Sequence, residues 1–478
     1  MHRLIPMDSI CLPAVLLFIL SCVMPVQVNA GMKTQFHPVL YVSGHYTDND
    51  DQAKSNKNES HYMVYGSALS LRFIQKNASV ELSYTPEFID RESNDKDGDS
   101  LEHNASIMAD IQPSPRVAMN LSANYDGHDN DVGNEAWRTS GNFTTTMAIS
   151  KKTRGEINLD YANAFDRRKT TGTYQEQTDY GGSVAVIHQF GYNNQLSLSL
   201  DYTSVDYEPP IDDDYDSWSP GISVSYWINP CWGMELSATY EKINYDILNL
   251  DVDSGTGTFR VINCIDSHFK FYSQYKHIYT NRDGNTENSY LPSLGFDWDV
   301  TEDAGISLGL GYLYQEWENK SNGRLFVDAN VFKQVDFSRH ANVILTASST
   351  IYPSSEEGAD LGFQIQYRSG FLLNWDIMEA LSWNLSGAWT QDEFTEPNVD
   401  RTDNILDIST GLAWSPWCWG TLEFAYTYED YRTDSFMRED YQEHRGTVTL
   451  RLHPSFGWTE KNLAPTRESV EEHIYGLN

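Results

Sequence analysis

Apolar and polar residues alternate from end to end, short and long connections take turns, and an aromatic residue closes nearly every strand that runs into a long loop. Together these predict an all-β chain, a transmembrane antiparallel β-barrel of about 22 strands (range roughly 18 to 24) with short periplasmic turns and longer extracellular loops.

Alternation comes first because it fixes the element type. Ala78, Val80, Leu82 and Tyr84 fall on one face of a strand, and Ser79, Glu81 and Ser83 on the other. Leu196, Leu198, Leu200 and Tyr202 likewise oppose Ser197, Ser199 and Asp201, and Ile306, Leu308, Leu310, Tyr312 and Tyr314 oppose Gly305, Ser307, Gly309 and Gly311. A period of two puts each set on one side of a sheet. Past the first thirty residues no apolar run approaches the roughly 20 residues of a spanning helix. Mean hydropathy is that of a water-soluble protein although 13% of residues are aromatic. A barrel with one face in lipid and one in water has that composition.

The connections follow the same rhythm. Gln75-Lys76-Asn77, Gln112-Pro113-Ser114-Pro115, Lys151-Lys152-Thr153, Tyr192-Asn193-Asn194, Asn229-Pro230 and Thr301-Glu302-Asp303 are turn-forming. They alternate with polar stretches at 47–60, 86–100, 126–136, 206–217, 243–257, 392–403 and 430–443, expected as extracellular loops.

Tyr46, Tyr84, Tyr125, Tyr161, Tyr202, Tyr240, Tyr279, Tyr314, Tyr352, Trp389 and Tyr428 stand where strands enter the long loops, about 35 to 41 residues apart. That interval is two spanning strands with one turn and one loop, hence about eleven hairpins. All but Tyr352 share the parity of the apolar face of their own strand. Tyr84, Tyr125, Tyr161, Tyr202, Tyr240, Tyr314 and Tyr428 are therefore candidates for an extracellular girdle. Trp227, Trp232, Trp298, Trp375, Trp414, Trp417 and Trp419, beside short turns, are expected to form the periplasmic girdle. The last strand is expected over Arg445 to Leu452, followed by Phe456 and Trp458.

Three segments result. Residues 1–30 have the form of a signal peptide, with Arg3, an apolar stretch from Ile10 to Leu20 interrupted by Pro13, and cleavage near Ala30 after Val28-Asn29. A lipoprotein signal at Cys22 is the rival, with an imperfect match in Leu20-Ser21. Residues 31–458 form the barrel and 459–478 a periplasmic C-terminal tail. The expected location is the cell outer membrane of a Gram-negative bacterium, and the expected partners are its lipid, lipopolysaccharide and the barrel assembly machinery. The first strand is expected within about ten residues of the cleavage site, without a plug domain before it, so a periplasmic partner filling the lumen is a further expectation.

Charge narrows the function classes. A formal net charge of −35 excludes an electrostatic nucleic-acid binder. Residues of the polar face make the candidate lumen lining: Glu81, Asp160, Asp201, Glu235 and Asp297 against Arg138, Arg368 and Arg451. Such a lining suits a water-filled channel with a mild cation preference; paired across strands, the same charges would stiffen the wall. Acidic clusters at Asp48-Asn49-Asp50-Asp51, at Asp90, Asp95, Asp97 and Asp99, and at Asp212-Asp213-Asp214 with Asp216 offer oxygen ligands but match no EF-hand spacing. Solvated loops are the simpler reading, and no metal or cofactor is expected. With no GxSxG or HExxH, and with His103, His188 and His277 lacking recognisable partners, no enzyme is expected either. The mature chain keeps Cys231, Cys264 and Cys418, without a CxxC. Cys231 and Cys264 fall in neighbouring turns, where a disulfide, buried packing and free thiols all remain open.

The alternation, the Tyr-ended hairpins and the closing Arg451-Leu452-His453-Pro454-Ser455-Phe456-Gly457-Trp458 together resemble the uncharacterised β-barrel porins of proteobacterial outer membranes, some of which accompany exopolysaccharide or protein-sorting genes. The resemblance covers most of the mature chain, rests on pattern, and transfers no functional residue. It implies a porin-like passive channel for small solutes or an exported polysaccharide. The alternative is a structural sheath for a periplasmic or secreted partner, such as an electron conduit or an export complex.

Overall fold

The computed structural model describes residues 33–453 except 50–51, 55–56, 92–97, 131–134, 169–172, 192, 209–213, 246–250, 283, 318–319, 354–362, 396–399 and 435–438. The signal-peptide and tail expectations, with Phe456 and Trp458, lie outside the described residues.

The regular elements are strands: β1 (Lys33–Thr47), β2 (Ser60–Gln75), β3 (Ala78–Arg91), β4 (Ser100–Ser114), β5 (Val117–Asn130), β6 (Glu135–Ala148) and β7 (Thr153–Arg168). Then come β8 (Thr173–Gln189), β9 (Gln195–Tyr207), β10 (Tyr215–Asn229), β11 (Trp232–Tyr245), β12 (Asp251–Cys264), β13 (Phe269–Arg282), β14 (Asn285–Thr301) and β15 (Ala304–Trp317). The last are β16 (Lys320–Ser338), β17 (Ala341–Pro353), β18 (Phe363–Met378), β19 (Leu381–Thr395), β20 (Asp400–Trp417), β21 (Gly420–Thr433) and β22 (Tyr441–Leu452). All belong to one 22-stranded antiparallel sheet in which chain neighbours pair, and β1 also pairs with β22. Closure removes the sheet edges, whose bare N–H and C=O groups could not be satisfied in lipid.

The strands run from 12 residues in β22 to 19 in β16, longer than the roughly ten needed to cross a bilayer. Much of what the sequence marks as loop is therefore paired strand: β3 continues to Arg91, β5 to Asn130 and β21 to Thr433, while β22 starts at Tyr441 rather than Arg445. The physical reason is that alternation needs lipid on one side only. Beyond the outer girdle both faces meet water, and a paired strand looks polar throughout.

The short turns share one bond. The carbonyl of the last turn residue accepts the amide of the strand beyond: Asn77 from Gln112, Lys152 from Gln189, Cys231 from Cys264, His268 from Asp299 and Trp419 from His453, all at 2.7 or 2.8 Å. Each hairpin is thus tied to its successor at the rim.

The seam is the exception to full pairing. β1 pairs with β2 from Lys33 to Thr47 but with β22 only from Leu40 to Thr47. Among the described residues, the lower edge of β1 has no partner on that side. It carries Lys33 and Pro38, residue types that discourage further strand pairing. At the upper end side chains hold the seam. Thr47 donates to Glu443 at 2.8 Å, the His444 amide donates to Asp48 at 2.7 Å, and Asn49, fully buried, donates to the Gln442 carbonyl at 2.9 Å.

Candidate functional site

Facing follows from exposure and from contacts. Leu200, Leu236, Leu294 and Leu310 are exposed on the outside, while polar side chains reach each other over intervening strands. Arg260 of β12 meets Asp297 of β14 at 2.7 Å, and Arg324 of β16 meets Glu393 of β19 at 2.7 Å. Side chains two or three strands apart converge only on the concave side of a curved sheet. The inner wall is thus the polar one.

The wall carries three groupings of chemistry. Beside the seam, a cavity of about 560 Å³ is lined by Tyr41, His45, Tyr62, Glu87, Arg91 and Arg451, among others. In it Tyr41 donates to Glu87, His45 stacks on Tyr62 with ring centres 4.6 Å apart, and Arg451 lies between Glu423, at 2.9 Å, and the Tyr41 ring. Lower on β2 and β3, Ser70 donates to Glu81 at 2.8 Å.

On the far wall the Arg260 guanidinium sits 4.0 Å above the Tyr272 ring, and Ser307 donates to Asp297 at 2.7 Å. Tyr272 lies flat because Gly295 and Gly309 leave it room: a Cβ at Gly295 would come within 2.4 Å of the ring, and one at Gly309 within 2.6 Å of the hydroxyl. Asp160, the third centre, accepts from Asn142 and Asn158.

Four predicted lining residues remain outside these groupings. Arg138, Asp201, Glu235 and Arg368 form no ion pair among the described residues, although Glu235 stands opposite Arg260 in the β11–β12 register. Arg138 and Asp201 are exposed on the polar side of β6 and β9.

An apolar patch on the inner wall is absent from the sequence expectation. Ile278, Leu291, Leu313, Phe326 and Ile365 form a buried cluster, with Ile351 and Tyr367 packed on it. Ile351, Ile365 and Tyr367 have the parity of Leu345 and Phe371, which are exposed, so β17 and β18 break their alternation partway up. The sequence held one trace of this, since Tyr352 is the aromatic out of step with its own strand.

The girdle candidates lie on the outer face. Tyr84, Tyr125, Tyr161 and Tyr240 are exposed; Tyr202 packs on Trp218 with ring centres 4.5 Å apart, Tyr314 stacks on Tyr290, and Tyr428 packs tilted on His444. The histidines weighed as catalytic belong to such pairs: His103 bonds Tyr84 at 2.8 Å and His277 stacks on Tyr290. At the lower rim Trp232, Trp298, Trp375, Trp414, Trp417 and Trp419 are exposed. Trp227 is a correction. It has the parity opposite to exposed Tyr226 and Ile228 and packs over Gly233, where a Cβ would meet the indole at 3.0 Å, so it faces the lumen and not lipid.

Of the acidic loop residues, several described ones act as acceptors. Asp99 takes the Arg91 amide at 3.0 Å, Asp214 the Tyr207 amide at 2.6 Å, and Asp216 the Tyr202 hydroxyl at 2.7 Å. Asp50, Asp51, Asp95, Asp97, Asp212 and Asp213 lie outside the described residues. Among the described residues no three His, Cys, Asp or Glu side chains are grouped as a metal site.

No protein-family model matches the sequence, nor does any curated protein sequence. Solved structures do match in fold. The chain is similar to the siderophore receptor PirA from Pseudomonas aeruginosa, with a TM-score of 0.55, 11% identity, and coverage of 88% of this chain and 81% of that one. It is similar to PirA from Acinetobacter baumannii at a TM-score of 0.56, 9% identity, and coverage of 88% and 81%. The alcaligin outer-membrane receptor FauA from Bordetella pertussis gives 0.52, 8% identity, and coverage of 87% and 75%. At such identities the likeness is one of fold: a closed 22-stranded barrel of the outer-membrane receptor type. Its solved counterparts are receptor barrels, and the porin resemblance drawn from sequence pattern gains no family assignment from them.

Proposed function

We propose that this chain is a porin-like passive channel of the outer membrane, admitting small polar solutes or an exported polysaccharide, with a mild preference for cations. The observation that carries this reading is the inner wall. Its polar side chains are linked across non-adjacent strands into a fixed lining, while Asp201, Glu235, Arg138 and Arg368 are left without ion-pair partners among the described residues. Fixed charges facing water in a rigid wall select ions without binding them tightly, which conduction requires. A barrel of this strand number encloses a lumen wide enough to need filling or narrowing. Cation preference follows from the acidic excess of the chain, at −35.

The test is conductance of the purified full-length protein in planar bilayers under a salt gradient. Discrete steps with a reversal potential favouring cations support the channel. Silence under every condition, together with recovery of a stoichiometric protein partner from intact membranes, would replace it with the sheath.

A further inference from the structure

Two of the three described cysteines face each other. Trp232 stands opposite Asn263 in the β11–β12 register, and the next step toward the rim brings Cys231, the last residue of the β10–β11 turn, opposite Cys264 at the end of β12. The Cys264 amide donates to the Cys231 carbonyl at 2.7 Å. The Cys231 amide donates to the Asn229 side chain at 2.8 Å, so one bond joins the two cysteines; residues facing each other across an antiparallel pair have Cα atoms about 4.5 to 5.5 Å apart, inside the span of roughly 4.4 to 6.8 Å that a disulfide bridges. The same turn bond recurs around the rim as Asn77 with Gln112, Lys152 with Gln189 and His268 with Asp299. Among the described residues, Cys231 and Cys264 are the pair with sulfur on both sides.

We propose that Cys231 and Cys264 are an oxidative modification site, joined in the mature protein as a cross-strand disulfide that fastens the β10–β11 hairpin to β12. The inference rests on the outer-membrane reading, which places the short turns in an oxidising compartment. Both thiols are accessible in the reduced chain, Cys231 exposed and Cys264 partly so. The oxidant is a reactive protein disulfide. One thiolate of the pair attacks it and forms a mixed disulfide, releasing the oxidant's other sulfur as thiolate. The second cysteine then attacks the mixed disulfide and expels the oxidant as a dithiol. Two thiol protons and two electrons leave the pair, and the oxidant is reduced by the same two electrons. Cys418 is the internal control. In its turn the residue that accepts the rim bond is Trp419, bonded by His453, so Cys418 faces no cysteine among the described residues.

Full-length protein is isolated from the outer-membrane fraction, its free thiols are alkylated before and during denaturation, and a non-reducing digest is read by mass spectrometry. The expected result is a linked peptide containing Cys231 and Cys264, about 2 Da below the sum of the two thiol peptides, in most molecules, with Cys418 alkylated. The C418S variant keeps the linked peptide. C231S leaves Cys264 alkylated, and C264S leaves Cys231 so. Alkylation of both Cys231 and Cys264 in more than half the molecules overturns the proposal, as does linkage of either to Cys418 or to another chain. Absence of the protein from the outer-membrane fraction refutes the location, a result distinct from free thiols on protein found there.

Discussion

Asn49→Ala should loosen the barrel at its seam. The Asn49 side chain is fully buried and makes three bonds, each 2.9 Å: its amide donates to the Ala53 and Gln442 carbonyls, and its oxygen accepts the Ala53 amide. At about 1 kcal/mol net per bond, truncation costs roughly 2 to 3 kcal/mol. The Gln442 carbonyl still accepts from Lys57 at 2.6 Å, which favours the lower figure. The loss falls where β1 and β22 share only the stretch from Leu40 to Thr47, so it should appear as faster amide exchange in that stretch before the rest of the wall. Urea unfolding in micelles gives the global value and mass-resolved exchange locates it. Lys54→Ala is the comparison. Its ion pair with Asp440, at 3.1 Å, is exposed, and its removal should cost about 0.5 kcal/mol or less. If Asn49→Ala matched Lys54→Ala in both measurements, the idea that Asn49 holds the seam would be wrong.

Phe326→Ala should empty the inner apolar cluster and cost about 3 to 5 kcal/mol in the same urea titration; a change below about 1 kcal/mol would mean the cluster is not packed as described. Asp440 lies in the last loop, where the Thr433 amide at 2.9 Å and the Lys54 ammonium at 3.1 Å hold its carboxyl below the ordinary carboxylate range. A depressed pKa stabilises above the unfolded value, and that contribution is lost as pH falls through the folded one. Protection of the Thr433 amide, taken relative to its intrinsic exchange rate at each pH, should therefore fall in acid in the native chain and be already low, without that acid step, in Asp440→Asn. Finally, Asp201→Lys combined with Glu235→Lys should lower cation over anion permeability by about twofold or more, read as a shift in reversal potential; an unchanged reversal potential would place these residues off the conduction path.

The spacing from Tyr84 to Tyr125 to Tyr161 already contained the hairpin count, and the parity of Leu196 to Tyr202 already contained the two faces, because both are written by lipid on one side of each strand. That influence stops at the girdle. Asp126 to Asn130 and Tyr441 to His444 are paired strand but carry no alternation, since water bathes both sides there. Trp227 was misplaced because position beside a turn does not fix which way a ring points; the register opposite Gly233 does. The meeting of Arg324 with Glu393, the gathering of Ile278 with Ile365, and the burial of Asn49 join strands far apart in the chain, and the flattening of Tyr272 on Gly295 and Gly309 depends on the register of β13 to β15. None has a local period. By itself the sequence determined a barrel of about 22 strands with a wet inside and a greasy outside, through an alternation each strand keeps with its own surroundings. Closure and curvature, which bring distant strands within a side chain's reach, decided what the inner wall is made of and how the seam is held.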